Sequence, residues 1–595
     1  MSTSLGRAAS SLPTSSSPAS SEKSELKAAL SACRGAFAGI GLLTVFINIL
    51  TLTGSIFMLE VYDRVLPSRS VPTLVGLAIL TGALLSIQGI LDLIRSRILV
   101  RIGASLDASL GRRVYTSLVR LPLRIANRGD GLRPLRDLDN VRSFLSGLGP
   151  TALFDLPWIP VYLGIIFAFH PRLGMVALCG ALFLIVVTLL TETLTRGPTR
   201  AASMSTVERN ALAESGRRNA EVLLAMVMTE RMADRWDTAN AAYLKSQSAA
   251  ADVTGGFGAI SKVFRVMLQS AVLGVGAYLV IQQEATAGVI IAGSILTARA
   301  FAPVDLAIAH WKGFISARMG WQRLALLLDV MPSDSNRLQL PAPHATLKVE
   351  ALSAAPPGGD RLVVADVGFT LDAGQSVGVI GPSAAGKSSL ARLLVGVWQP
   401  TRGKVRLDGA ALDQWDEEAL GRHIGYLPQD VELFPGSVTQ NIARFDPAAD
   451  PKKVVSAAQA AGVHDLIIRL RDGYDTELSG PGLGLSAGQK QRIALARALY
   501  GDPFLVVLDE PNSNLDANGE AALTQAILGV RRRGGVVVVV SHRSSALAAV
   551  DMILVMNQGR AQVFGPKEEV LARVTRSPTQ PTPLRAVPEG GSLAS

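Results

Sequence analysis

The stretch that decides the fold is SVGVIGPSAAGKSSLARLLVGV, residues 376–397. A short β-branched apolar run leads into a glycine-bearing polar loop, and an Ala- and Leu-rich run of helical character follows. The loop from Gly381 to Ser388 has two glycines separated by four residues and followed by Lys-Ser. That spacing between a strand and a helix reads as a phosphate cradle. Gly381 and Gly386 allow backbone turns that side chains block. Pro382, Ser383, Ala384 and Ala385 form the turn between them, and Ser389 follows in the helix. The helix beginning near Lys387 adds about half an elementary charge at its N-terminus. Lys387 is placed to reach the β- and γ-phosphates, and the Ser388 hydroxyl to ligate Mg²⁺.

Three further stretches supply partners for such a loop. FLVVLDEPNSNLD, residues 504–516, reads as a buried strand ending in Asp509, which can hold Mg²⁺ through water. Glu510 stands next to it, where a base can polarise an attacking water. VVVVVSHRSS, residues 536–545, is another buried strand, and His542 at its end is assigned to the γ-phosphate. IGYLPQDVELF, residues 424–434, presents Gln429 as a ligand for Mg²⁺ or water. Short β-branched runs alternate with Ala- and Leu-rich runs across residues 347–574, which predicts a soluble α/β domain. A polar, Pro-containing linker covers residues 332–346.

The first half of the chain has a different texture. Over the whole sequence 48% of residues are hydrophobic, only 18% are charged, and mean hydropathy is +0.32. A helix crossing about 30 Å of hydrocarbon needs about 20 apolar residues. Six runs qualify: residues 36–59, 71–94, 152–169, 173–191, 264–281 and 288–309. Backbone groups in lipid must be satisfied within the segment, so these are predicted as helices of one domain, residues 35–331. The connections at 95–150 and 192–263 are long, and the first is rich in arginine. Basic bias puts both long loops, both termini and the α/β domain in the cytoplasm. The loops should continue the helices well beyond the membrane. The net charge of +10 is read as this same bias, and nucleic acid is not an expected partner. Pro157 and Pro160 should bend the third span. Arg299 and Asp305 interrupt the sixth; six residues apart, they are offset by about 120° and need not pair. The Ser-rich residues 1–34 and the Pro- and Ser-rich residues 575–595 read as disordered tails without a cleavable signal. Cys33 and Cys179 have no redox or metal spacing.

With its order and spacing, the set GPSAAGKSS, Gln429, LSAGQ, FLVVLDE, SNLD and Ser541-His542 resembles the ABC transporters over the whole chain. The resemblance implies a membrane α-helical domain of six transmembrane helices, of ABC exporter type, plus an α/β P-loop nucleotide-binding domain, with ATP and Mg²⁺ as cofactors. It implies that Ser486, Gly488 and Gln489 of the LSAGQ turn bind the γ-phosphate held by a second copy, with Asp516 part of the same nucleotide site. One such half therefore implies a homodimer. The turn carries Ala487 where glycine is usual, and VEALSAAPPGGDRL, residues 349–362, lacks the aromatic residue that often stacks on adenine.

MLEVYDRVLPSRSVPTL, FDLPWIPVYLGIIFAFHP and APVDLAIAHWKGFISAR resemble the inner-membrane ATPases of bacterial type I secretion, in the subgroup exporting proteases, lipases and haem-binding proteins. That resemblance implies ATP-driven export of a secreted protein bearing a C-terminal signal. It implies a periplasmic membrane fusion protein and an outer-membrane channel as partners, besides membrane lipid. With few residues ahead of the first span, no peptidase domain is expected. A half-size exporter of lipid or small molecules is the alternative.

Overall fold

The computed structural model describes residues 24–124, 131–331, 340–478, 484–543 and 545–576. The expected tails and linker lie wholly or partly outside these residues. The described residues form two compact units, one helical, of residues 24–121 and 131–331, the other mainly α/β, of residues 340–576 together with the short stretch 122–124.

Among the described residues, six helices of the first unit are long and apolar enough to cross a membrane. Short helices and breaks interrupt some of them. The principal elements are α1 (Ser24–Ala32), α2 (Arg34–Glu60), α3 (Val71–Arg120), α4 (Arg133–Ser146), α5 (Gly149–Asp155), α6 (Ile159–Phe169), α7 (Pro171–Arg218), α8 (Thr229–Ile281) and α9 (Ala287–Val330). Helices of 44 to 53 residues, as α3, α7, α8 and α9 are, run about 65–80 Å, roughly twice the hydrocarbon thickness. The long connections do continue the spans as helix, all at one end of the bundle. At the other end the turns are short: residues 69–70, His170, and residues 282–286.

One expectation fails at the start of the chain. Part of the stretch read as a disordered tail is helix α1, SELKAALSA. Its Leu26 is buried against Leu106 and Leu110 of α3, and Glu25 meets Arg113 at 3.2 Å. Nine residues are too few to hold a helix alone; burial of one apolar edge supplies what length does not. The two prolines of the third span act as expected. Helix α5 stops at Asp155, a 3₁₀ turn covers Leu156–Trp158, and α6 restarts at Ile159.

Polar side chains join the first three spans. Arg95 Nη1 donates to Asp155 Oδ1 at 3.0 Å and Arg95 Nη2 to Asp92 at 2.8 Å. Asn48 Nδ2 donates to the same Asp155 oxygen at 3.1 Å, and the Tyr162 hydroxyl donates to Asn48 Oδ1 at 2.7 Å. Asp305 and Arg299 do not pair, as their offset predicts. Asp305 instead faces Arg265 of α8 at 2.9 Å and accepts from Ser261 at 2.8 Å, while Arg299 is exposed.

The α/β unit has an antiparallel sheet of β1 (Thr346–Ala354), β2 (Val364–Asp372), β4 (Arg402–Leu407) and β5 (Ala410–Ala411), in the order β2-β1-β4-β5. The central sheet contains β3 (Ser376–Ile380), β6 (Ile424–Leu427), β7 (Leu505–Asp509), β8 (Val536–Val540), β9 (Met552–Asn557) and β10 (Arg560–Pro566), in the order β10-β9-β3-β8-β7-β6. Strands β9, β3, β8, β7 and β6 run parallel. Parallel strands covered on both faces read as continuous apolar runs, and all five valines of β8 are buried.

Candidate nucleotide site

The sheet brings the sequence stretches together by topology. Adjacent parallel strands β3, β8, β7 and β6 all end at the same edge. From their C-terminal ends emerge the loop at Gly381, His542, Asp509–Glu510 and Gln429 respectively. Ligands of open α/β sheets bind at this edge.

Both glycines of the loop are required by their surroundings. Gly381 has φ +151°, and a Cβ there would lie 2.0 Å from the Met556 carbonyl oxygen. Gly386 has φ +90°, and a Cβ there would meet Val363 O at 2.3 Å. Helix α10 (Lys387–Leu394) starts directly after it. Lys387 Nζ donates to Gly381 O at 2.9 Å and to Pro382 O at 2.8 Å, folded back over its own loop. Burial pulls the Lys387 ammonium below its ordinary value, against the pull of Glu510 and Asp509.

The Ser388 hydroxyl donates to Asp509 Oδ1 at 3.1 Å. Asp509 is 1% exposed, and its Oδ2 has no hydrogen-bond partner among the described residues. Burial pushes this carboxyl above its ordinary range; the hydrogen bond from Ser388 opposes the shift. A buried acceptor left free beside a hydroxyl suits a hard, oxygen-seeking divalent cation.

Glu510 has φ +48°, off the strand axis, while its N–H still donates to Val540 O at 2.9 Å. Its carboxylate receives Gln429 Nε2 on Oε2 at 3.2 Å, and His542 Nε2 stands 3.8 Å from Oε1. Three side chains from three strand ends thus converge.

The LSAGQ turn begins a helix of its own. Ser486 caps helix α11 (Ala487–Leu499): its Oγ accepts from Gln489 N at 3.3 Å, and Gln489 Oε1 accepts from Ser486 N at 2.8 Å. The polar groups of the turn engage each other. A Cβ at Gly488 would lie 2.5 Å from Asn514 O, whereas Ala487 is exposed, so the methyl at the position usually held by glycine meets no crowding within the chain. Asp516 caps helix α12 (Ala517–Arg532) by accepting from Gly519 N at 2.8 Å.

Sequence reasoning missed Gln491, two residues beyond the turn. It is 2% exposed and donates to Glu510 O at 3.2 Å and Pro511 O at 2.7 Å, while its Oε1 accepts from Asn514 N at 3.1 Å. It ties the helix of the LSAGQ turn to the segment carrying Glu510. A glutamine on the apolar, buried face of that helix was the available signal.

The ABC transporter transmembrane region family matches residues 37–304, and the ABC transporter family matches residues 364–513. The type I secretion system ATP-binding protein PrsD of Rhizobium meliloti is 58% identical over 549 residues, 92% of this chain and 94% of that protein. The cyclolysin secretion/processing ATP-binding protein CyaB of Bordetella pertussis is 31% identical, over 90% of this chain and 75% of its own length. In fold the chain matches the solved structure of a bacterial Atm1-family ABC exporter with ATP bound, at TM-score 0.78 and 24% identity, covering 91% of this chain and 97% of that one. The six apolar helices make the chain a multi-pass membrane protein. It belongs to the ABC transporters, among the ATP-binding proteins of type I secretion.

Proposed function

We propose that two copies of this chain form the inner-membrane ATPase of a type I secretion system, exporting a protein that carries a C-terminal secretion signal. As an ABC transporter it binds ATP and hydrolyses it to drive transport. What supports the export reading is the 58% identity to PrsD, which extends over 92% of the chain rather than over the ATPase alone. The nucleotide-binding unit is cytoplasmic. A periplasmic membrane fusion protein and an outer-membrane channel complete the path.

In the nucleotide site, Gly381 to Ser389 wrap the phosphates, and Lys387 leaves the two loop carbonyls to contact the β- and γ-phosphates. Ser388 and Asp509, with Gln429 nearby, would hold Mg²⁺, which supplies charge neutralisation at the β- and γ-phosphate oxygens. Glu510 takes the proton of the attacking water; Gln429 and His542 hold its carboxylate in place, and His542 also faces the γ-phosphate. Ser486, Gly488 and Gln489 present the N-terminus of α11 to the γ-phosphate bound by the other copy. Asp516 serves the site by fixing the chain that follows Glu510.

The test is export of a reporter ending in the secretion signal, after co-expression with the two partner proteins. Secretion that stops in Glu510→Gln is the expected result; undiminished secretion refutes the reading. Cysteines placed at Ser486 and Ser389, with Cys33 and Cys179 replaced, should crosslink between copies only with ATP.

A further inference from the structure

The bundle holds a mostly apolar cleft, edged by charged side chains, that the ATPase and its proposed export role leave unused. It lies between α8 and α9 and measures about 500 Å³. Gly255 and Gly258 open one wall: a Cβ at Gly255 would meet nothing within 4 Å, and one at Gly258 only Ile308 at 3.9 Å. Three cationic side chains, Lys262, Arg265 and Lys312, and one carboxylate, Asp305, line it. Asp305 is already matched by Arg265 at 2.9 Å and by the Ser261 hydroxyl at 2.8 Å. Lys312 donates to the neutral Gln247 at 3.1 Å, and Lys262 makes no ion pair among the described residues. The cleft is open to its surroundings, with Lys262 exposed and Lys312 half-buried, and keeps a charge of about +2 on its two lysines.

Helix geometry fixes its depth. Counting from the short-turn end at Ile281 and Ala287, Arg265 and Asp305 lie about 24–27 Å along their helices. Lys262 and Lys312 lie about 28–38 Å along, and Gly255 about 39 Å. With about 30 Å of hydrocarbon, the lysines straddle its inner boundary, in the headgroup layer. From the cleft toward the bilayer centre, α8 exposes Val263, Val266 and Met267. Charge at headgroup depth followed by apolar surface toward the bilayer centre repeats the polarity of one inner-leaflet phospholipid.

We propose that the cleft between α8 and α9 binds the anionic headgroup of an inner-leaflet glycerophospholipid, with Lys262 and Lys312 on the phosphate and the acyl chains along Val263, Val266 and Met267. The depth rests on the inner-membrane, cytoplasmic-side orientation above. Binding itself requires neither transport nor partner proteins, so its failure is distinguishable from failure of the export reading.

The experiment uses the full chain in nanodiscs of phosphatidylcholine with graded phosphatidylglycerol, counting retained phosphatidylglycerol by native mass spectrometry without ATP. K262Q/K312Q should weaken retention by about 10- to 30-fold. G255L, which fills the cleft and removes no charge, should weaken it similarly. R217Q/R218Q, a basic pair elsewhere on the helical extensions, should leave it unchanged. Retention equal to wild type in both cleft variants, or equal loss in the control, overturns the proposal. Displacement by inorganic phosphate at matched concentration would assign the cleft to a free anion, and saturable displacement by an acidic unfolded polypeptide would assign it to the secreted chain; either result overturns the lipid assignment.

Discussion

Gln429 donates to Glu510 across 3.2 Å, although 81 residues separate them in sequence. The contact fixes a carboxylate that is 28% exposed, accessible to water yet held in one orientation. Glu510→Gln keeps size and shape but removes the base. ATP turnover should fall by about 10²- to 10⁴-fold, with ATP still bound. Gln429→Ala keeps the base but removes its orienting contact, and should cost less than Glu510→Gln. Steady-state phosphate release with a parallel nucleotide-retention assay reads both; turnover within twofold of wild type in Glu510→Gln removes the base assignment.

Asp509 carries a cost in the nucleotide-free protein. Burial raises its carboxyl above the ordinary 3.8. A carboxyl raised in the folded state adds stability that is fully present below its ordinary value. That stability is lost as pH rises through the raised value. At neutral pH the fold thus tolerates a buried carboxylate with one oxygen unpartnered. Asp509→Asn keeps an acceptor for Ser388 and removes the charge. The nucleotide-free Tm should rise by about 2–4 °C while hydrolysis is lost. The gain should shrink as the buffer is acidified toward pH 4. A lower Tm at neutral pH contradicts this account.

Gly386→Ala tests the loop backbone. The position has φ +90°, and the added methyl carbon would lie 2.3 Å from a backbone oxygen that cannot swing away. Left-handed backbone in a non-glycine residue costs about 1–3 kcal/mol before the clash is counted. ATP affinity should fall at least tenfold, read by equilibrium binding, with far-UV circular dichroism unchanged.

The strand-loop-helix of the phosphate site was legible because its determinants are local: two glycines, a lysine and a serine within eight residues. The six spans were legible for a similar reason, since hydrocarbon thickness sets a length that composition reveals. Contacts made by distant residues were not legible. Asn48 and Asp155 hydrogen-bond across 107 residues, and neither position announces its partner. Helix α1 was hidden because its stability comes from α3 rather than from its own nine residues. Gln491 lay in plain view beside the LSAGQ turn, but its role depends on carbonyls that the fold carries to it.

Gln491→Ala should show that role. It would leave the buried Pro511 carbonyl, the half-buried Glu510 carbonyl and the Asn514 N–H without their partner, each of them in the segment that holds Glu510. A loss of about 1–3 kcal/mol is expected from the unmade hydrogen bonds. Because the side chain acts through Glu510, kcat should fall while KM for ATP changes little. A Gln491→Ala protein that is less stable but keeps its kcat would assign the residue to stability alone.

Asp155 and Arg95 offer the corresponding test in the helical unit. Their side chains are 15% and 10% exposed, and the pair joins the end of α5, just before the proline break, to α3. Removing Arg95 leaves the Asp155 charge buried and unmatched, at a cost of about 3–5 kcal/mol, whereas removing Asp155 leaves Arg95 its second partner, Asp92, at 2.8 Å. Arg95→Met should therefore lower the unfolding midpoint in detergent strongly, and Asp155→Ala less, because Arg95 keeps Asp92. The pair Arg95→Met with Asp155→Leu replaces both charges with apolar bulk, and should recover most of the loss. Asn48 would still hydrogen-bond to Tyr162, so the recovery should be incomplete by the contacts that Asn48 made to Asp155 and Asp92 to Arg95. Additive losses in the double variant would mean that the two residues stabilise the bundle independently, and the ion pair would not be what holds α5 to α3.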